Sequence, residues 1–274
     1  MSKELSTVQG NNAMSAFAAF KTPEVEVVGL DVNASDMKLP KVKLMQQTSQ
    51  EAVKSKGKIV AGQYYNTVTQ SAEDELDCIL LDQGKSMVMW KRPFKRGEEP
   101  LCRSFDGKVK AEGCGDGNCE KCQYSSQNPK AWDLAKNKGE TKPACNMSYV
   151  FLALDCKTKM PFRIIAAGAS VKSAKDFLNK LLPLGVSPFA CKLTLKSHQE
   201  ENDQGIFYVM DFDNLRPNDE CINPDGSLNM TKYKELEDMS KTYKSLFMTQ
   251  IVQNDVIDVD VVSTEDNTEA GGLF

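Results

Sequence analysis

Five of the nine cysteines fall between Cys102 and Cys145, and three of them read Cys114-x4-Cys119-x2-Cys122. That crowding constrains the chain more than any other feature. The N-terminus shows no basic stretch followed by an apolar one, so no secretory signal is expected. The expected location is therefore the cytoplasm, where thiols stay reduced and clustered cysteines point to metal rather than to disulfides. A structural zinc ion takes four soft ligands in a tetrahedron, commonly from two short pairs. Cys119 and Cys122 have the spacing that lets one turn direct two thiolates at one ion. Cys102 and Cys145 stand at the two ends of the segment and are expected to supply the other pair, with Cys114 a rival for one of these positions. The expected cofactor is thus structural Zn2+ held by Cys102, Cys119, Cys122 and Cys145. Its binding energy would become folding energy for a loop too polar to fold alone, on the order of 10 kcal/mol in small zinc modules. A redox CxxC needs a βαβ setting, which is absent here. No nearby His or Glu completes a catalytic zinc set, and the one histidine, His198, lies far downstream. Cys78, Cys156 and Cys191 fall in or beside apolar strands and read as core.

Just before the cluster runs a basic stretch with aromatics interleaved: Trp90, Lys91, Arg92, Phe94, Lys95 and Arg96. Single-strand binding needs cations along the phosphates and aromatic faces for bases to stack on. Arg103, Phe105, Lys108 and Lys110 extend the patch into the cysteine segment. Tyr64, Tyr65, Lys41 and Lys43 are candidates for the same groove, although strand alternation sends one of the two tyrosines into the core. An edge strand guarded by Lys and Arg would carry similar charges without any ligand.

The net charge of −4 conceals an asymmetry. Residues 255–274 hold six acids and no Lys or Arg, and residues 38–145 carry 19 Lys and Arg against 14 Asp and Glu. A mildly basic body with an acidic tail is expected. The tail ends in Leu273 and Phe274, a terminus able to hook partner proteins through a buried aromatic and a clamped carboxylate. No apolar run reaches the roughly 20 residues that span a bilayer, so no membrane partner is expected.

Strand patterns appear from Lys41, with Val42, Leu44 and the polar residues that follow, and at 58–65, 76–81, 86–90, 149–154, 162–165, 191–195 and 206–210. Residues 82–84 read as a hairpin turn between the third and fourth, and 202–205 as another between the last two. A helix is expected from Ser170, read as its cap, to Gly185, and a second over 229–251. The expected class is mainly β (α+β), an OB-type antiparallel barrel with a zinc-binding insertion and peripheral helices. The expected division is an N-terminal arm over 1–37, a core over 38–251 with the insertion at 102–145, and an acidic tail over 252–274.

The cysteine segment carries a resemblance. Cys102-Arg-Ser-Phe-Asp-Gly107, Cys119-Glu-Lys-Cys-Gln-Tyr124, the strand at 149–154 and the acidic tail ending in Phe274 together resemble the single-stranded DNA-binding proteins of tailed bacteriophages. The likeness spans about residues 40–250 in order of elements and is specific only in the cysteine segment. It implies a non-enzymatic protein that coats single-stranded DNA in replication, recombination and repair. It also implies recruitment of polymerase, primase or helicase through the tail, and self-association on DNA through the N-terminal arm. A family zinc site of three Cys and one His would be departed from here. The competing expectation is a zinc-ribbon transcription or recombination factor reading duplex DNA. A nuclease would want clustered acids with a basic partner, which 73–77 lacks.

Overall fold

The computed structural model describes residues 39–91, 99–110, 112–113, 117–202 and 205–254. Its longest shared element is β4, Leu76–Met89, fourteen residues in one strand. The hairpin turn expected at 82–84 does not form. β7, Cys145–Asp155, runs antiparallel along β4 from Cys78↔Asp155 to Met89↔Cys145. A ladder that long satisfies the backbone of Gln83 and Gly84, which a turn would hand to solvent. The register slips by one residue between Leu80 and Asp82. This bulge inverts the alternation of β4. Leu76, Cys78 and Leu80 face one side before it, and Met87 and Met89 face that same side after it. The extra residue, Leu81, has its carbonyl taken by the Ser240 hydroxyl at 2.8 Å.

Two strands share the other edge of β4. β9, Cys191–Asn202, pairs with Leu76–Ile79. β5, Cys102–Ser104, pairs with Met87–Met89 and in turn with β6, Glu112–Gly113. The remaining strands are β1 (Lys41–Leu44), β2 (Tyr64–Asn66), β3 (Ala72–Glu73), β8 (Pro161–Ala166) and β10 (Gly205–Pro217). The sheet runs in the order β10-β9-β4-β7-β8-β1-β2-β3, with only β1–β8 parallel along that path. It is strongly curled into a half-barrel, so the fold is β-rich with a few helices. The segment 58–65 is turn until Tyr64, with Gly57 and Gly62 at positive φ, rather than the continuous strand expected.

Side chains hold the two ends of the curl together. The Gln46 amide accepts from the Tyr208 N–H at 2.8 Å and donates to the Tyr208 carbonyl at 2.9 Å. It does for β10 what a neighbouring strand would. The Ser197 hydroxyl donates to the Gly62 carbonyl at 2.6 Å, and the Tyr64 hydroxyl to the Lys196 carbonyl at 2.5 Å. A side chain at Gly62 would meet the Tyr208 ring at 2.7 Å, so this crossing needs glycine.

The middle of the sheet is buried on both faces, while the far ends of β9 and β10 are exposed. The concave side is filled by residues such as Phe151, Phe162 and Leu193, and by Ala174, Phe177 and Leu181 of the helix Ser170–Leu181. Ser170 is not its cap; Ala169 holds that position, and the Ser170 hydroxyl accepts from the Met210 N–H at 2.9 Å. Gly185, at φ 63, ends the helical run as expected. The convex side is covered by the helix Met230–Asn254, whose Leu236 is fully buried beside Val150 and Leu152. In chain order the helices are α1 (Gln50–Lys54), α2 (Pro129–Asn137), α3 (Ser170–Leu181) and α4 (Met230–Asn254). Among the described residues no helix is long and apolar enough to cross a membrane.

Replacing Gln46 by Ala should open the junction between β1 and β10. It leaves the Tyr208 N–H and carbonyl without their partner, so a loss of about 1–3 kcal/mol is expected. Urea unfolding measures it, and hydrogen exchange should quicken first at the Tyr208 amide.

Candidate functional site

Cys102, Cys119, Cys122 and Cys145 line one cavity of about 10 Å³, roomy enough for roughly one water-sized occupant. Met87 forms part of its wall, and Arg103, Ser104 and Lys110 stand around it. Three of the four cysteines are buried, and Cys122 is half-buried. Each is fixed by its own backbone. Cys102 closes the β5–β4 pairing and Cys145 opens β7. The Cys119 N–H donates to the Lys108 carbonyl at 2.8 Å. The Cys122 N–H donates to the Asn118 carbonyl at 3.0 Å, closing the turn that carries both knuckle cysteines. The Cys145 N–H donates to the Tyr124 carbonyl at 2.8 Å. Buried Asn128 caps α2 and donates from its amide to the carbonyls of Lys121 and Cys122, at 3.0 and 3.1 Å. The knuckle and the helix are therefore one unit.

The sulfurs do not converge on a single point. Among the described residues no group of three or more His, Cys, Asp or Glu is arranged to hold a metal ion. The sheet supplies a reason. Cys102 and Cys145 pair with the same residue, Met89, from opposite sides. That sets them two strand spacings apart, roughly 10 Å. For both to reach one ion at about 2.3 Å, their side chains must lean towards each other over Met89. Cys114 follows Gly113, the partner of Cys102, and lies outside the described residues. Burial pushes the Cys119 thiol up, against a lowering contact from Ser104 and a further raising effect from Cys122 close by. The chemistry of the donor set suits zinc: four thiols at one small cavity, with two cations, Arg103 and Lys110, to offset the charge of a tetrathiolate complex.

The basic and aromatic candidates separate on inspection. Tyr64 is the core-facing member of its pair, 2% exposed, and offers no face to a base. Burial, first, and the charge of Asp211 push its hydroxyl far up. Lys41 is buried at the β1–β8 pairing, and Lys43 forms an ion pair with Glu51 at 3.0 Å with little exposed surface. These three belong to the fold rather than to an open groove. Tyr65 is half-buried. Phe105 is also drawn inwards: it packs against the cluster beneath α4, with the Arg103 guanidinium 5.1 Å from its ring centre. Lys108 and Lys91 are exposed, and Trp90 is half-buried directly after Met89. Arg92, Phe94, Lys95 and Arg96 lie outside the described residues, as do Leu273, Phe274, the arm and the acidic tail. Cys78 and Cys191 are buried core residues as expected, while Cys156 is half-buried. His198 sits exposed on β9 between Asp211 and Glu200, away from the cysteines. Trp132 on α2, half-exposed, was not among the sequence candidates. Its only sequence signal is a tryptophan in the polar run 128–138, after the Asn-Pro that opens a helix.

A family model described as Pam3 phage gp34-like protein matches residues 9–247. The chain belongs to this family. The description points to a phage protein. No curated protein and no solved structure matches the chain.

The loop from β5 to the knuckle hangs on Asp106. Its carboxylate accepts from the Lys108 N–H at 2.7 Å, the Val109 N–H at 3.0 Å and the Ser104 hydroxyl at 3.0 Å. Partial burial raises its pKa, but these bonds outweigh it and the net shift is downward. A depressed carboxylate stabilises the fold above its unfolded pKa, near 3.9, and loses that contribution as pH falls through the folded value. The Lys108 and Val109 amide signals in NMR should therefore shift together on acidification to below pH 4. Asp106→Asn should abolish that titration, and Asp106→Ala should weaken the loop by about 1 kcal/mol.

Proposed function

We propose that this chain is a sequence-tolerant single-stranded DNA-binding protein of phage replication, recombination and repair. Its half-barrel is read as OB-type, and its cysteine lobe as a structural zinc site. The observation that carries the reading is one row of residues. Cys102, Met89 and Cys145 lie side by side on β5, β4 and β7, and the basic aromatic stretch 90–96 leaves β4 directly from that row. Arg103 and Lys110 border the same cavity. Cations and aromatics thus start from the point that a metal would order. Backbone charge and stacking suffice for sequence-tolerant binding of single strands. Zinc would be held by Cys102, Cys119, Cys122 and Cys145, with Cys114 in reserve for one position. It would supply order and no chemistry on DNA. The acidic tail, with Leu273 and Phe274, is assigned to recruiting replication proteins such as polymerase, primase or helicase. The arm is assigned to self-association on DNA, and the host cytoplasm is the proposed location.

Fluorescence titration with oligo(dT) and with a matched duplex, across a salt series, tests the reading. Tight single-strand binding that weakens steeply with salt is expected; equal or stronger duplex binding would overturn it. Native mass spectrometry should find one zinc per chain. Joint replacement of Cys119 and Cys122 by Ser should remove the zinc and loosen residues 102–145. A zinc-free protein of unchanged stability would end the metal assignment.

A further inference from the structure

The cysteine lobe carries a second aromatic that the stretch at 90–96 does not include. Trp132 lies on α2 and is 47% exposed. A tryptophan is among the costliest side chains to leave half in water. The ring is not loose. Its indole N–H donates to the Ser126 carbonyl at 3.0 Å. Ser126 is pinned in turn: its N–H donates to the Cys145 carbonyl at 2.9 Å, and its hydroxyl accepts from the Met147 N–H at 3.1 Å. The polar edge of the indole is thus spent on the lobe, while a large part of the ring stays in solvent. Ala131 and Ala135 bury the flank of the helix next to it, which fixes how far the ring can turn inwards. The pose is fixed before any ligand arrives.

The charge around it has one sign in excess. Lys136 lies one turn beyond Trp132 on the same face, with Lys130, Lys138 and Lys142 nearby in sequence and all exposed. Asp133 and Glu140 are the acids of this stretch, which keeps a positive balance. No carboxylate within ion-pair distance holds these four lysines among the described residues. Elsewhere, by contrast, Lys157, Lys192 and Lys196 around the sheet and Lys241 on α4 are each held by an acid. A half-exposed, pre-oriented ring among uncommitted cations matches the needs of a stacked base and its phosphates.

We propose that Trp132 is a stacking platform for a base of single-stranded DNA, with Lys136 contacting the adjoining phosphate. This rests on the single-strand reading above and extends the binding surface from the strand end at Trp90 onto α2.

The chain has two tryptophans, so Trp90→Phe leaves Trp132 as the sole indole emitter in the full-length protein. Titrating that variant with oligo(dT) should quench its emission saturably. In the wild-type background, Trp132→Ala should weaken oligo(dT) binding by roughly 5- to 150-fold, the range for one lost stack. Trp132→Phe keeps an aromatic face without the N–H and should retain most of the affinity, which separates stacking from support of the lobe. Lys136→Ala should lower the salt slope by about one. Wild-type protein that fails to bind oligo(dT) would sink the single-strand reading and this inference with it. Saturable oligo(dT) binding by the Trp90→Phe variant, read by anisotropy of labelled oligo(dT), with unquenched Trp132 emission would overturn this inference alone, as would Trp132→Phe as weak as Trp132→Ala.

Discussion

The continuity of β4 is the constraint on which the rest of the structure depends. One strand serves two bodies: its first residues hold β9 and the half-barrel, its last hold β5 and the cysteine lobe, and β7 backs both. Strict alternation would send Met87 and Met89 to the face opposite Leu76, Cys78 and Leu80. The bulge at Leu81 inverts parity once, so that all five face the same side. The freed carbonyl goes to Ser240 of α4. A single backbone irregularity therefore joins the sheet interior, the lobe and the outer helix. The lobe is an extension of one of the half-barrel's own strands and not an independent module on a tether.

Curvature is maintained by different means at the other end of the sheet. The strands nearest closure do not meet backbone to backbone. Gln46, Ser197 and Tyr64 bridge them with side chains. Polar groups of this kind near the core are favourable only when every partner is in place. The demand explains why several surface candidates turned out to be structural. Tyr64 is committed to the Lys196 carbonyl, and Lys43 to Glu51. A groove lined by these residues would have to be opened at the cost of the closure itself.

What was legible in the sequence followed from local periodicity and spacing. The helix ending at Gly185, the hairpin from β9 to β10 and the strand at 149–154 all announced themselves by apolar pattern and turn residues. The joint location of Cys102, Cys119, Cys122 and Cys145 followed from cysteine spacing in the same way. What was not legible depended on tertiary partners. Gln83 and Gly84 have turn composition, yet Phe151 and Val150 opposite them hold the ladder open. Ser170 has cap chemistry, yet its hydroxyl is claimed by Met210 forty residues away. Helix α2 was missed because its buried face is only two alanines, too small to give an apolar period. Met89 between two cysteines could not be seen at all, since registry is a property of three strands together.

That registry ties the state of the cysteines to everything around them. Met89 is the last residue of β4 and the partner of both Cys102 and Cys145. Trp90 and Lys91 follow it immediately. On the far side of the row, Cys145 holds Ser126, which holds the Trp132 indole, while Asn128 bonds the carbonyl of Cys122. The cavity beside this row therefore borders both elements: the strand end from which Trp90 continues and, through Ser126, the helix that carries Trp132. Two aromatics far apart in sequence are tied by strand pairing and hydrogen bonds to the same row of residues, and their placement depends on that row staying intact.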